Sequence, residues 1–135
     1  MEKFLNKKYQ IDRIDDSYDA YLEAIGLSAE RRHAAKDLKA AFKLVQISAN
    51  EYSLNTDVGP RTLETKFVLN QEIERTTMDG RKVKSTYTID GNKLIERQTE
   101  TNRDVTTIRT FSDNELVVES VVGDIRSKVW CVLVE

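Results

Sequence analysis

The sequence has little of what disulfide-bonded, metal-binding and membrane-spanning proteins need. Among 135 residues there are one cysteine, one histidine and one proline, which rules out an internal disulfide and a metal site built from several Cys and His ligands. No apolar run approaches the roughly 20 residues of a membrane-spanning helix. No glycine-rich loop opens a helix for phosphate. We therefore expect no cofactor and no metal.

An excess of charge of either sign is also missing. The chain has 21 basic and 23 acidic side chains and a net charge of -2, so it has no overall basic field to attract nucleic acid. Its one histidine, His33, lies among lysines and arginines and has no serine or cysteine nucleophile beside it. A catalytic triad needs such a pair. We therefore predict that the protein is not an enzyme.

The length and the cysteine content indicate the organisation and the compartment. A chain of this length can bury one core, so we expect a single domain spanning residues 1–135 and a monomer. A lone cysteine fits a reducing compartment, and no charged and then apolar leader is visible at the start. The predicted location is the cytoplasm.

Helical periodicity is confined to the first third of the chain. A first helix is predicted behind Ser17 and stops at Gly26, with apolar positions at Tyr18, Tyr21, Leu22 and Ile25. Ser28 is a candidate cap for a second helix that ends at about Lys39. In this helix we expect Ala34, Ala35 and Leu38 to face inward and Arg31, Arg32, Lys36 and Lys39 to face outward.

After Ala40 the pattern changes to short runs of period two, which are typical of β-strands. Turn residues separate them about every ten positions, at Ala49-Asn50, Gly59-Pro60, Asp79-Gly80, Asp90-Gly91, Asn102-Arg103, Asp113-Asn114 and Gly123-Asp124. The two Asp-Gly turns define one strand from Arg81 to Ile89. Polar residues occupy both faces of that strand and its neighbours, which favours a barrel that encloses water or a ligand. The helix pair would then close the mouth.

One stretch of the sequence resembles a known family closely. Gln71-Glu72-Ile73 followed by residues 76–86, which read TTMDGRKVKST, is similar to the "QEF…TTADDRKVKST" segment of the intracellular lipid-binding proteins. This family includes fatty-acid-binding and cellular retinoid-binding proteins. The resemblance implies an all-β fold, a ten-stranded antiparallel up-and-down barrel with a helix-turn-helix lid, and an internal ligand.

The resemblance also implies where the acidic head group of a ligand binds. Arg109 matches an inner arginine of the eighth strand, seven residues before Leu116. An Arg-x-Tyr pair of the last strand is replaced by Lys128-Val129-Trp130 if one residue is deleted near Gly123, and Arg126 then shares their face. Without that deletion, Val129 and Cys131 occupy the pair's place and bring no cation.

Further residues are implied by the same resemblance. Tyr21 lies near the ligand tail, although its helical spacing also fits simple packing, and Asp79 and Arg81 match positions that line the cavity near its opening, although a turn explains them as well. A basic cluster on the second helix is expected either to touch anionic membranes transiently or to be a solvated face; it consists of Arg31, Arg32, Lys36 and Lys39.

The predicted function is non-covalent intracellular transport of long-chain fatty acids or similar acid-headed lipids. A carrier of retinoid, bile acid or acyl-CoA is one alternative, because the Arg-x-Tyr place is altered. A lipid-delivery or scaffold module that docks on membranes is another, because the second helix is basic.

Overall fold

The computed structural model describes residues 1–77 and 80–135. A short 3₁₀ helix at Glu2–Phe4 precedes the first strand, β1, and a helix pair follows it. The bounds of these elements are β1 Lys8–Ile14, α1 Tyr18–Ala24 and α2 Ala29–Asp37. Nine further strands complete the chain: β2 Ala41–Gln46, β3 Glu51–Asp57, β4 Thr62–Val68, β5 Glu72–Thr76, β6 Lys82–Asp90, β7 Lys93–Thr99, β8 Asp104–Phe111, β9 Glu115–Val122 and β10 Ile125–Leu133. The predicted fold class is confirmed.

The ten strands form one antiparallel sheet that curves into a nearly closed barrel. Their order is β4-β3-β2-β1-β10-β9-β8-β7-β6-β5, so neighbours along the chain are neighbours in space and the first strand pairs with the last. This is the up-and-down arrangement that the evenly spaced turns predict. In the described residues, β4 and β5 are the two ends of the sheet.

Aromatic packing links the strands on either side of β5. The rings of Phe67 on β4 and Tyr87 on β6 stack with their centroids 4.0 Å apart, and Tyr52 on β3 stacks on Phe67 at 6.0 Å. Stacked pairs of this kind add to the burial of their own area. The row therefore connects β4, at one end of the sheet, to β6, the neighbour of β5 at the other end.

Polar side chains are buried along the inner wall, as the polar residues on both strand faces predict. In each strand alternate residues point inward, and the buried polar residues of β6 to β10 are Ser85, Glu96, Gln98, Thr107, Ser120 and Ser127. A separate apolar cluster lies under the helices, where Leu22 and Ile25 pack against Val105 and Val122. The interior is thus apolar under the lid, whereas the wall of β6 to β10 carries these polar side chains beside core residues such as Tyr87, Leu94 and Leu116.

The two helices pack on each other through charge as well as apolar contacts. Ser28 caps α2 as predicted, accepting a hydrogen bond from the Arg31 amide at 3.3 Å. Arg32 and Lys36 do not face solvent freely, because both donate to Asp19 of α1, at 3.2 and 3.0 Å. The prediction that Ala34 faces inward is wrong, since it is exposed. Among the described residues, no helix is long and apolar enough to cross a bilayer.

Candidate functional site

A carboxylate lies on the inner wall of the barrel without any solvent exposure. Glu96 of β7 is 0% exposed and shares its strand face with Leu94 and Gln98. Its Oε2 atom accepts hydrogen bonds from the Ser85 hydroxyl at 2.9 Å and from Nε2 of Gln98 at 3.1 Å. Burying a carboxylate costs several kcal/mol unless it is paired, so Glu96 needs cations nearby.

Two guanidinium groups supply the pairing. Arg75 of β5 donates to Oε2 of Glu96 through Nη2 and through Nε at 3.1 Å, and its Nε also lies 3.2 Å from the Ser85 hydroxyl. Arg109 of β8 donates from Nη1 to Oε1 of Glu96 at 3.1 Å. Their side chains are 17% and 12% exposed. Arg109 therefore lies inside the barrel, where the family resemblance implies it.

The electrostatics of this group keep Glu96 ionised. Burial by itself would raise the pKa of Glu96, but the charges of Arg109 and Arg75 and the bonds from Arg75 and Ser85 outweigh it and lower the pKa from 4.5 to about 2. Two positive groups and one negative group share the interior, so one positive charge is left over. We call these three residues, Arg75, Glu96 and Arg109, the inner ion cluster.

The guanidinium of Arg109 keeps donors available toward the interior. Within residues 1–77 and 80–135, Glu96 is its hydrogen-bonding partner, and the bond uses Nη1. A guanidinium has five N–H donors in a planar fork, so Nε and Nη2 remain for water or for an anion. Gln98 adds an acceptor, because its buried Oε1 has no protein partner in the same part of the chain.

Tyrosines line the inner ion cluster on two sides. The phenol of Tyr21, from α1, faces the side chain of Ser120 and senses the charges of Arg81, Glu96 and Arg109, while burial raises its pKa. Burial also raises the pKa of Tyr87, which stands beside Glu96 in the β6–β7 register. Both phenols are therefore neutral hydrogen-bonding groups at physiological pH.

A second ion group joins the lid to the ends of β6 and β7. Glu100 pairs with Nη1 of Arg81 at 2.8 Å and with Nε of Arg103 at 2.8 Å. Arg103 also donates from Nη1 to the backbone carbonyl of Ala24 at 2.6 Å. Gly26 leaves room for this guanidinium, because a Cβ at position 26 would lie 3.2 Å from Nη2 of Arg103. Its φ of +98° is a backbone conformation that also favours glycine.

The sequence matches a family model and several known proteins. The model of the lipocalin / cytosolic fatty-acid binding protein family matches residues 4–130. The chain belongs to that family. It is 32% identical to the muscle fatty acid-binding protein of Schistocerca gregaria over 93% of this chain and 92% of that protein. It is 31% identical to a fatty acid-binding protein of Tyrophagus putrescentiae over 91% of this chain and 92% of that one.

Solved structures of the cytosolic fatty-acid binding family agree with the fold. A fatty acid-binding protein from brain tissue of Drosophila melanogaster superposes with a TM-score of 0.86 at 30% identity, covering 96% of this chain and 98% of that one. A Schistosoma mansoni fatty acid binding protein in complex with arachidonic acid superposes at 0.92 with 20% identity, covering 100% and 98%. The second likeness concerns the fold alone.

The last strand of this family member differs from the predicted head-group pair. Arg126 and Lys128 are exposed on the outer face of β10, where Arg126 pairs with Glu119 at 3.2 Å. Trp130 is on the same outer face, with the guanidinium of Arg13 3.9 Å above its ring. The structure therefore does not place Arg126, Lys128 and Trp130 on the inner wall, where the predicted contact with a ligand head group requires them.

The turn before β10 explains this correction. Gly123 and Asp124 form a two-residue hairpin turn that sets Ile125 opposite Val122, with Val122 buried. Counting in steps of two from Ile125, the inward positions are Ser127, Val129 and Cys131. The chain thus follows the register without a deletion, and the inner face of β10 carries no cation. Burial raises the pKa of the Cys131 thiol to about 12.

The remaining predicted residues have separate outcomes. Tyr21 and Arg81 lie on the lid side of the interior, at the two ion groups described above. Asp79 lies outside the described residues. Of the predicted basic cluster, Arg32 and Lys36 bind Asp19 within the lid, and Arg31 and Lys39 are exposed, with Lys39 two residues beyond the observed end of α2. Among the residues described, no group of three or more Cys, His, Asp or Glu could hold a metal ion.

Sequence reasoning missed Arg75 and Glu96. A signal for them exists, because Arg75 is two residues after the half-buried Ile73, and Glu96 stands between Leu94 and Gln98 in a strand that buries alternate residues. The meeting of these two side chains depends on the register of β5, β6 and β7. The alternation of residues along one strand does not predict which residues of neighbouring strands are paired.

Proposed function

We propose that this protein binds one long-chain fatty acid, or a similar acid-headed lipid, inside its barrel and carries it without chemical change. The observation that supports the proposal most is Arg109, an arginine on the inner wall whose side chain is only 12% exposed and which uses one of its five donors on Glu96. The family relationship supports the same conclusion, because several relatives bear the name fatty acid-binding protein.

The head group would bind at the inner ion cluster. A ligand carboxylate can accept charge-assisted hydrogen bonds from Nε and Nη2 of Arg109 in fork geometry. It would also neutralise the one positive charge that Glu96 leaves over. In the absence of ligand, ordered water would satisfy these donors.

The tail would supply most of the binding free energy. At about 0.8 kcal/mol per buried methylene, a long acyl chain offers more than about 10 kcal/mol before the costs of ordering are subtracted. Dissociation constants in the micromolar to nanomolar range are therefore expected. The apolar cluster under the lid and the aromatic row of Tyr52, Phe67 and Tyr87 are candidate contacts for the tail.

Localisation and assembly belong to the same proposal. We propose that the carrier is cytoplasmic, in agreement with the name of the cytosolic fatty-acid binding family, and that it acts as a monomer. Transient contact with anionic membranes is proposed through Arg31, which is exposed on α2, and Lys39, which is exposed two residues beyond the end of that helix. Arg32 and Lys36 contribute less, because Asp19 already binds them.

The test is a titration of delipidated protein with a fluorescent fatty-acid analogue, followed by competition with unlabelled hexadecanoic acid. Saturable binding that the unlabelled acid displaces supports the carrier function, and the absence of such binding overturns it. Mass spectrometry of the lipid that co-purifies with the protein separates fatty acid from retinoid, bile acid and acyl-CoA. These three remain the alternative ligands.

A further inference from the structure

Glu96 places a permanent negative charge beside the cations of the proposed site. It is 0% exposed, and each of its oxygen atoms accepts hydrogen bonds from the protein. Oε2 is bonded by Arg75, Ser85 and Gln98, and Oε1 is bonded by Arg109. With this many donors, Glu96 cannot leave the cluster without exposing buried polar groups.

The charge of the cluster is therefore fixed at one positive unit, from Arg75 and Arg109 against Glu96. Arg81 also acts on Arg75 through its charge, but it belongs to the second ion group, where it shares Glu100 with Arg103. The nearby phenols of Tyr21 and Tyr87 carry no charge at physiological pH. One monovalent anion neutralises the inner ion cluster completely.

A ligand with two negative charges would exceed the single positive charge of the inner ion cluster. Its extra charge would be buried beside the carboxylate of Glu96, where the inner ion cluster has no further cation to pair with it, and a buried unpaired charge is costly. Without the carboxylate of Glu96, the same head group would find the two positive charges of Arg75 and Arg109. The carboxylate is thus in a position to discriminate between head groups by charge.

We infer that Glu96 is a specificity-determining residue, which restricts the barrel to apolar ligands whose head group carries a single negative charge. The inference rests on the proposed function and deepens it. Carboxylic acids are accepted, and phosphate monoesters, which carry close to two negative charges above about pH 7, are rejected.

The experiment compares three probes with the same tail at about pH 8: hexadecanoic acid, hexadecyl phosphate and hexadecanol. Each displaces a fluorescent fatty-acid analogue from delipidated protein. The wild-type chain should bind the acid more tightly than the phosphate by about tenfold or more, since like charges a few ångströms apart repel strongly in a partly buried site. Glu96→Gln should reverse this ratio or reduce it by about tenfold or more.

Two further variants separate charge from shape. Glu64→Gln makes the same chemical change at an exposed position of β4, and it should keep the wild-type ratio. The double variant Arg75→Gln/Glu96→Gln removes the ion pair and returns the cluster to one positive charge. It should regain the wild-type preference for the acid. A double variant that behaves like Glu96→Gln alone would contradict the role of charge.

The outcomes distinguish this inference from the function on which it rests. If wild-type protein binds none of the probes, the carrier function itself is overturned. If wild type binds the acid but Glu96→Gln leaves the ratio of acid to phosphate unchanged within about twofold, the carrier function stands and the role of Glu96 is refuted. If Glu96→Gln does not fold, Arg75→Gln decides instead. It lowers the cluster charge to zero and should reduce the preference for acid over alcohol by about tenfold, and an unchanged preference overturns the inference.

Discussion

Arg103 in the β7–β8 turn donates a hydrogen bond of 2.6 Å to the backbone carbonyl of Ala24, the last residue of α1. The contact joins two parts of the chain that are 79 residues apart. The same guanidinium is held by Glu100 at 2.8 Å. The lid is therefore tied to the barrel rim at the end of its first helix.

We predict that Arg103→Gln loosens the lid. A hydrogen bond from a charged donor contributes about 1.5–3 kcal/mol, so ligand dissociation should become at least about fivefold faster if opening of the lid limits it. Stopped-flow displacement of a fluorescent fatty-acid analogue measures this rate. Arg97→Gln, an exposed change on β7, is the matched control. Equal dissociation rates in the two variants would show that the lid does not depend on this contact.

Arg109→Gln should weaken binding of hexadecanoic acid far more than binding of hexadecanol. Only the acid uses the cation, and hydrogen bonds to charged groups contribute about 1.5–3 kcal/mol, so the loss specific to the acid should be at least about tenfold. Isothermal titration calorimetry with both ligands gives the comparison. Similar losses for acid and alcohol would remove Arg109 from the head-group site.

The stability of the ligand-free protein should depend on pH through Glu96. Its pKa in the folded state is about 2, below its ordinary value of 4.5, so folding favours the ionised form. The stabilisation is complete above about pH 5 and is lost as the pH falls towards 2, and it amounts to about 3 kcal/mol. Urea unfolding of wild type and Glu96→Gln over this range measures it. The difference in unfolding free energy should shrink with acidification, and parallel curves would contradict the prediction.

The outer-face cations of β10 should be dispensable for ligand binding. Arg126→Gln and Lys128→Gln each remove an exposed charge from the side of the wall away from the ligand, and solvent screens such charges. We expect the affinity for hexadecanoic acid to stay within about twofold of wild type. Competition titration tests this, and a tenfold loss in either variant would mean that the opposite face of β10 lines the site.

Much of the fold is predictable because its signals are local. Asp90-Gly91 fixes one hairpin through its turn chemistry, and the strand before it was predicted to span Arg81 to Ile89 and is observed from Lys82 to Asp90. Alternation along that strand also predicts a polar interior, which Ser85 confirms at 0% exposure. Each of these inferences needs only neighbouring residues.

The site is less predictable because its parts come from distant strands. The family resemblance predicts the place of Arg109, because its spacing to Leu116 is a local relationship that this chain keeps. Lys128 and Trp130 were misplaced because one assumed deletion reverses every side chain of a strand. Arg75 and Glu96 meet only when β5, β6 and β7 are in register, and a buried ion pair looks in sequence like two ordinary surface charges.

Trp130 is the only tryptophan of the chain, and its ring lies on the outside of the barrel wall under the guanidinium of Arg13. Its intrinsic fluorescence therefore reports on that cation and on the integrity of the β1–β10 seam, where Arg13 and Trp130 are paired. A fatty acid entering the interior would leave this signal nearly unchanged, whereas unfolding would separate ring and cation. The protein thus carries its own optical probe of unfolding, whereas occupancy has to be followed by a labelled ligand or by the heat of binding.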